Sequence, residues 1–308
     1  MSTISTILQV ELPSGGNISI NRFRYGAGPK RIAIVAGVRG DTPEGLRVAH
    51  IVSEILMRTS EELKGTVDIY PCINPLAAEQ GVRLWPFFQV DLNRRFPGKA
   101  TGHPPDRVAA ALVNDIQGAD VVIELRGARP GFEEIPNAMV KEGDTASLEI
   151  AQNANVHFVW LRSPGPAAPK TLAYQFPHSI VLEGGAGNRL VHSVGESLKD
   201  GVLNILAHLG IFPEEALPFH WAAIERPVMV TDHQIKRVRA KCSGLFIPSR
   251  RLKETVKEGE RIGRIIDPSL GLVRDEIFSP VDSQIVAIRH HPVVSPGTVV
   301  ARLILEQV

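Results

Sequence analysis

An Asn-Arg pair in the string DLNRRFPG, residues 91–98, offers the clearest anion-binding chemistry in this sequence. A guanidinium can hold both oxygens of a carboxylate through two parallel hydrogen bonds, and a neighbouring amide adds another donor. Asn93 and Arg94 are therefore candidate ligands for a substrate carboxylate. In the structural alternative, Arg94 only pairs with Asp91 inside its own loop, and the motif by itself leaves both readings open.

The elements that must position this loop alternate between strand and helix along the first two thirds of the chain. The run RIAIVAG, Arg31–Gly37, predicts a buried strand, and Thr42 and Pro43 are suited to open the helix that follows. Further strands are predicted at Thr66–Ile73, Ala119–Leu125, Val156–Leu161 and His178–Glu183, and further helices at Pro105–Ile116, Asp144–Asn153 and Arg189–Leu209. This alternation predicts an α/β fold with a mixed, mostly parallel sheet and helices on both faces.

The residues that follow these strands are the next candidates for a site. In open α/β sheets, ligands bind beyond the carboxyl ends of the strands. That rule selects Val38–Thr42, the segment from Asn74 onward, Arg126 and Glu183.

Residues 225–308 have a different pattern, in which short strand-like runs are separated by Gly and Pro and helical periodicity is lost. A compact β domain fits this pattern. We therefore predict two domains, an α/β domain over residues 1–224 and a C-terminal β domain over residues 225–308.

Four segments, in order, resemble the succinylglutamate desuccinylase/aspartoacylase family, a branch of the zinc carboxypeptidase fold. They are GVRGDTPEG after the first strand, DLNRRFPG, Glu124-Leu125-Arg126, and SIVLEGG, and the C-terminal segment also resembles the β domain of bacterial members. The resemblance implies zinc-dependent hydrolysis of the amide bond of N-acyl amino acids. It also implies that Asn93 and Arg94 hold the substrate carboxylate and that Glu183 is the catalytic acid/base.

This sequence departs from the family at all three zinc-ligand positions, where the family has His, Glu and His. The corresponding residues here are Arg39, Thr42 and Arg126. Arginine has no free lone pair and threonine is not a usual zinc ligand. We therefore expect no metal and no cofactor, and we expect Arg39, Arg126, Asn93 and Arg94 to bind a small carboxylate or other anion.

A structural alternative remains for the two new arginines. Arg39 would then pair with Asp41 or Glu44, and Arg126 with Glu124 or Glu183, as salt bridges without a ligand. A replacement metal site made from acidic residues and His178 is disfavoured, because the neighbouring arginines would repel a cation.

Three functions remain open at this stage. The first is a metal-independent enzyme in which Glu183 moves a proton and the arginines stabilise negative charge. The second is a catalytically inactive pseudoenzyme that binds or senses an anionic metabolite. The third is a conventional zinc amidohydrolase whose ligands are shifted along the sequence.

The composition excludes several other classes of protein. The 308 residues carry a net charge of +1, which gives no general attraction to nucleic acid or anionic membrane. No apolar run reaches the ~18 residues of a membrane span, and the N-terminus lacks the pattern of a signal peptide. With only two cysteines as well, we expect a cytoplasmic protein. The sequence leaves homo-oligomerisation undecided.

Overall fold

The computed structural model describes residues 2–12, 15–216 and 226–305 of the chain. It contains five α-helices and seventeen strands within those residues. The helices are α1 (Pro43–Arg58), α2 (Pro75–Gln80), α3 (Pro104–Ile116), α4 (Thr145–Ala151) and α5 (His192–His208). The strands are β1 (Ser2–Glu11), β2 (Asn17–Tyr25), β3 (Arg31–Ala36), β4 (Thr66–Tyr70), β5 (Val121–Gly127), β6 (Phe132–Lys141), β7 (Phe158–Arg162), β8 (Ser179–Ala186), β9 (Val228–Thr231), β10 (Ile235–Arg239), β11 (Gly244–Pro248), β12 (Thr255–Val256), β13 (Arg261–Ile266), β14 (Val273–Phe278), β15 (Ser283–Arg289), β16 (Val293–Val294) and β17 (Val299–Leu305).

The main sheet has thirteen strands, and its longest path runs β1-β2-β4-β3-β5-β8-β6-β15-β17-β10. Strands β4, β3, β5 and β8 are parallel, whereas β6 is antiparallel to β8. Because parallel strands end at the same edge of a sheet, the segments after β3, β5 and β8 lie side by side. This arrangement brings together parts of the chain that are far apart in sequence.

Helices cover both faces of the sheet, and each face has its own apolar core. Val48, Val52 and Leu56 of α1 pack with residues of α5 on one face, and Val108 and Leu112 of α3 pack on the other. Burial of these side chains stabilises the packing of the helices on the sheet by roughly 1.5–3 kcal/mol for each large aliphatic residue. The predicted mixed, mostly parallel α/β fold is confirmed.

Several elements differ from the sequence-based prediction. The predicted strands and helices between residues 31 and 209 are present with shifted ends, but β1, β2, β6 and α2 were not predicted. The interior of β6 carries Glu134, Pro136 and Asn137, which hide the apolar pattern of a strand. The predicted N-cap Thr42 does occupy the residue before α1, but its hydroxyl donates to the carbonyl oxygen of Arg39 and does not cap the helix.

The C-terminal segment consists of short antiparallel strands. Strands β14, β13, β11 and β16 form a second, four-stranded sheet. Strand β15 pairs with β6 and β9 pairs with β7, so the C-terminal strands also extend the main sheet. The predicted domain boundary at residues 224 and 225 lies outside the described residues, and the division into two domains stays a prediction.

Among the described residues, none of the helices is both long and apolar enough to span a membrane.

Candidate functional site

A cavity of about 340 Å³ opens at the carboxyl ends of the parallel strands, a volume suited to a small metabolite. All five residues singled out from the sequence line it: Arg39, Asn93, Arg94, Arg126 and Glu183. Its other charged lining residues are Arg129, Lys141, Arg162 and Arg302, and its apolar walls include Met139, Val140, Trp160 and Val181. Among the described residues, seven cationic side chains and one carboxylate thus line the cavity.

Arg39 follows β3 and is a cation without a partner in the described part of the chain. Its side chain forms no hydrogen bond or ion pair with any described residue, and its buried Nε atom is left unsatisfied. Burial, followed by the positive charges of Arg126 and Arg83, lowers the pKa of the Arg39 guanidinium to about 10. The group is still protonated at neutral pH, but its charge is poorly compensated by the protein. The structural alternative, in which Arg39 pairs with Asp41 or Glu44, is not seen among the described contacts.

Glu44 is instead used by the helix packing. Its Oε2 accepts a hydrogen bond from the backbone N–H of Val191 at 2.7 Å, and its Oε1 accepts one from Arg47 at 3.1 Å. The contact with Val191 ties the start of α1 to the residue before α5, and Arg47 of α1 in turn donates to Glu196 of α5, so Glu44 has a structural role.

Arg126 lies near the end of β5 and, unlike Arg39, has a protein partner. Its Nε and Nη2 atoms donate to the two oxygens of Glu124, each at 2.6 Å. Glu124 is completely buried, and the negative charges of Glu124 and then Glu183 outweigh desolvation and raise the pKa of the Arg126 guanidinium. Much of the charge of Arg126 is therefore neutralised before any ligand arrives.

The Asn93-Arg94 loop is built around Asp91. The Asp91 carboxylate accepts hydrogen bonds from Arg83 at 2.7 and 3.0 Å and from the backbone N–H of Asn93 at 3.0 Å. Arg94 stays half-exposed, with its Nε 4.0 Å from Asp91, so the structural alternative for Arg94 is weak. The amide oxygen of the buried Asn93 accepts from the backbone N–H of Leu172 at 2.9 Å, which leaves only its amide NH2 for a ligand.

Glu183 lies in β8, opposite Arg126 of β5 and Asn137 of β6. It is only 5% exposed and faces the cavity. A second buried carboxyl, Glu134, lies on the adjacent strand β6, and burial followed by the charge of Glu183 raises the pKa of Glu134 to about 7. Arg302 of β17 donates to Glu134 at 3.0 Å.

Three cationic lining residues, Lys141, Arg162 and Arg302, were not among the candidates selected from the sequence. Lys141 was overlooked because β6 was not predicted, whereas Arg162 directly follows a predicted strand and the strand-end rule would have found it. Arg302 left a different signal, since it is one charged residue inside the apolar run VVARLIL. The stacking of the Arg162 guanidinium on Trp160, 4.2 Å from the ring centre, had no sequence signal.

The residues at this site do not fit a zinc ion. Two guanidiniums and a hydroxyl stand at the positions implied for the ligands, and none of them is a normal zinc donor. Within the described part of the chain, no group of three or more His, Cys, Asp or Glu side chains could hold a metal ion. Glu124 is already bound by Arg126, and His178 lies beside Asp144.

Fold and site together define a carboxypeptidase-like α/β protein with a cationic pocket at its strand ends. Residues 29–209 match the succinylglutamate desuccinylase/aspartoacylase catalytic domain, and the chain belongs to this family. The family assignment made from the sequence is confirmed.

Individual relatives agree with this assignment. An N-alpha-acetyl-L-2,4-diaminobutyric acid deacetylase from Halomonas elongata is 30% identical over 122 residues, which cover 39% of this chain and 35% of that protein. The match therefore spans about a third of the relative's length.

Solved structures share the fold over almost the whole chain. The succinylglutamate desuccinylase/aspartoacylase from Rhodobacter sphaeroides has a TM-score of 0.85 at 22% identity, covering 100% of this chain and 95% of that one. The product-bound ectoine utilisation protein EutE (DoeB) from Ruegeria pomeroyi has a TM-score of 0.82 at 18% identity, covering 99% and 95%.

Proposed function

We propose that this protein binds a small carboxylate or other anionic molecule in the arginine-lined cavity, without a metal ion. The observation that carries the proposal is the unpartnered guanidinium of Arg39. The Arg39 side chain is partly buried, but none of the described residues accepts a hydrogen bond from its guanidinium. A bound anion would supply that acceptor.

The energetics favour an anion at this position. Removing a charge from water is costly unless a partner compensates it, and the lowered pKa of Arg39 reports that cost. A carboxylate accepting two hydrogen bonds from the guanidinium would offset it. Helix α1 begins four residues after Arg39, and the positive end of its dipole adds a smaller attraction for the anion.

Arg39 and Arg126 have different roles in this proposal. Arg39 makes the direct contact with the anion, whereas Arg126 is held by Glu124 and contributes mainly its remaining field. Arg94 and the amide NH2 of Asn93 add donors at the cavity mouth. The cationic lining thus replaces the charge of the family's zinc, but it cannot activate a water molecule as zinc does.

Metal-independent hydrolysis of an N-acyl amino acid is a second candidate function. It is favoured by Glu183, a buried carboxyl in the same cavity at the position of the family's acid/base. The arginines would stabilise the oxyanion that develops during attack on the amide. Turnover of N-acyl amino acids that is lost in Glu183→Gln supports this second function. Ligand binding without turnover supports an inactive, metabolite-binding relative.

A thermal-shift panel of dicarboxylates, N-acyl amino acids and phosphates tests the proposed binding. A ligand at 100 times its dissociation constant adds about 2.7 kcal/mol of stability, which corresponds to a shift of several degrees for a chain of this size. Arg39→Ala should abolish the shift, and Arg39→Lys should restore only part of it, because an ammonium lacks the planar fork. Arg58→Ala, which removes an exposed arginine of α1, is the matched control and should keep the full shift. The proposal is wrong if no anion in the panel stabilises the wild type, or if Arg39→Ala responds as the wild type does.

A further inference from the structure

Glu134 is a buried acid that the proposed binding function does not use. It is 3% exposed, and its Oε2 accepts a hydrogen bond from Nη1 of Arg302 at 3.0 Å. Its other oxygen, Oε1, is buried and accepts no hydrogen bond from any residue that the structure describes. An ionised carboxylate with one buried oxygen that accepts no hydrogen bond lowers the stability of the folded state.

The neighbour that can relieve this cost is a second carboxyl. Glu183 lies in the adjacent strand β8, and a bulge separates the pairs Glu134–Gly185 and Asn137–Glu183. Glu183 lines the cavity, and Glu134 is buried on the neighbouring strand. Two ionised carboxylates so close together repel each other, whereas a proton between them converts the repulsion into a hydrogen bond.

The charges around Glu134 come from several elements. Arg302 of β17 and Arg129 of the loop after β5 favour its ionised form, while burial and the charge of Glu183 favour its neutral form. The residue opposite Glu134 on β15 is the uncharged Ala287. Burial and Glu183 prevail and raise the pKa of Glu134 to about 7, close to neutral pH.

We propose that Glu134 is a positioning residue that shares a single proton with Glu183, so that this pair sets the charge which the cavity wall presents to its ligand. Arg302 orients Glu134 by holding Oε2, and this leaves Oε1 for the shared proton. Arg302 of the C-terminal strand β17 thereby influences the charge of Glu183 through Glu134. The shared proton does not depend on the proposed anion binding, but its consequence for ligands does.

The consequence is a pH-dependent affinity. When the pH falls through neutrality the pair gains a proton, and the positive excess of the cavity rises by one charge. Anions should then bind more tightly, by at most tenfold per pH unit because one proton is linked to binding. Glu134→Gln keeps the shape and the acceptor for Arg302 and offers an N–H to Glu183, so it should hold the cavity in its tight-binding state.

Infrared difference spectroscopy from pH 5 to pH 9 tests the shared proton without any ligand. The wild type should lose one protonated-carboxyl band between about pH 6 and pH 8, and Glu134→Gln should lack that transition. Glu133→Gln removes the adjacent acid, which pairs with Arg189 at the surface, and it should titrate as the wild type does. The proposal is overturned if no carboxyl of the wild type titrates in this range, or if the transition survives in Glu134→Gln.

Two further measurements separate the ways in which this account can fail. Arg302→Met removes a charge that favours ionisation of Glu134, so the carboxyl transition should move to higher pH. An unmoved transition counts against the pair.

Succinate titrations of the wild type and Glu134→Gln at pH 6 and pH 8 then test the pH-dependent affinity. If the infrared transition is present but succinate does not bind, the shared proton is supported and the proposed binding of dicarboxylates is not. Binding with equal pH dependence in both proteins overturns the role of Glu134.

Discussion

The guanidinium of Arg126 and the carboxylate of Glu124 form a two-point salt bridge, with both N···O distances 2.6 Å, on the same strand. The two residues are two positions apart, and Glu124 is completely buried. Arg39, which the family resemblance places at a ligand position as it does Arg126, has no comparable partner among the described residues. Arg126 and Arg39 are therefore not equivalent, and Arg39 is the one whose guanidinium has no partner among the described residues.

Glu124→Gln should destabilise the protein by about 3 kcal/mol or more, because it leaves the charge of Arg126 buried without its partner. Urea unfolding of the variant and the wild type measures the difference. The double variant Glu124→Gln/Arg126→Met should regain most of the lost stability, since both charges are then absent. A single variant as stable as the wild type would mean that solvent already compensates Arg126.

Zinc should be absent from the purified protein at stoichiometric levels, because Arg39, Thr42 and Arg126 offer no ligand set. Elemental analysis of protein purified without chelator measures the content. The triple variant Arg39→His/Thr42→Glu/Arg126→His restores the ligand types that the family resemblance implies, and it should gain zinc binding. About one zinc per wild-type chain, lost on mutation of the cavity residues, would refute the metal-free account.

Acid sensitivity should depend on Asp68, which is completely buried in β4 among arginines. Arg24 and Arg31 donate to its two oxygens at 2.7–2.8 Å, and their hydrogen bonds outweigh desolvation and lower the pKa of Asp68 below its ordinary value of 3.8. Because the folded pKa is depressed, this stabilisation is present above about pH 4 and is lost as the pH falls through the folded pKa. Asp68→Asn should lower the free energy of unfolding at pH 7 and flatten its decline in acid. Unfolding curves from pH 7 to pH 2 measure both effects, and parallel curves for the two proteins would exclude this role.

Gly45 should be required for the position of the site. A Cβ at this residue of α1 would lie 2.5 Å from the carbonyl oxygen of Leu125, which directly precedes Arg126. Gly45→Ala should therefore push α1 away from β5, with a loss of stability and of anion-induced thermal shift. Arg58→Ala, at an exposed position of the same helix, is the control and should change neither stability nor ligand response. A Gly45→Ala protein with unchanged stability and ligand response would contradict this packing argument.

Local patterns in the sequence predicted the half of the site that follows regular strands. Apolar runs before Arg39, Arg126 and Glu183 identified β3, β5 and β8, and the strand-end rule then placed those three residues together. Whether Arg126 would pair with Glu124 could not be decided, because residues two positions apart on a strand meet only if their rotamers converge.

The other half of the site depends on pairing between distant strands. Glu134 and Lys141 lie on β6, whose polar residues and Pro136 conceal the strand, and Arg302 reaches the cavity only because β15 joins the C-terminal strands to β6. Such long-range register is set by the whole fold and leaves little trace in a local window. The placement of Glu134 on the strand beside Glu183 therefore became visible only in three dimensions.

Anomalous diffraction from crystals soaked in selenate tests the central claim most directly, since selenate is a dianion whose selenium can be located. We predict a selenium peak in the cavity within hydrogen-bonding distance of the Arg39 guanidinium, and no peak at the zinc absorption edge. Selenate found only outside the cavity, or a zinc ion among Arg39, Thr42 and Arg126, would contradict the account.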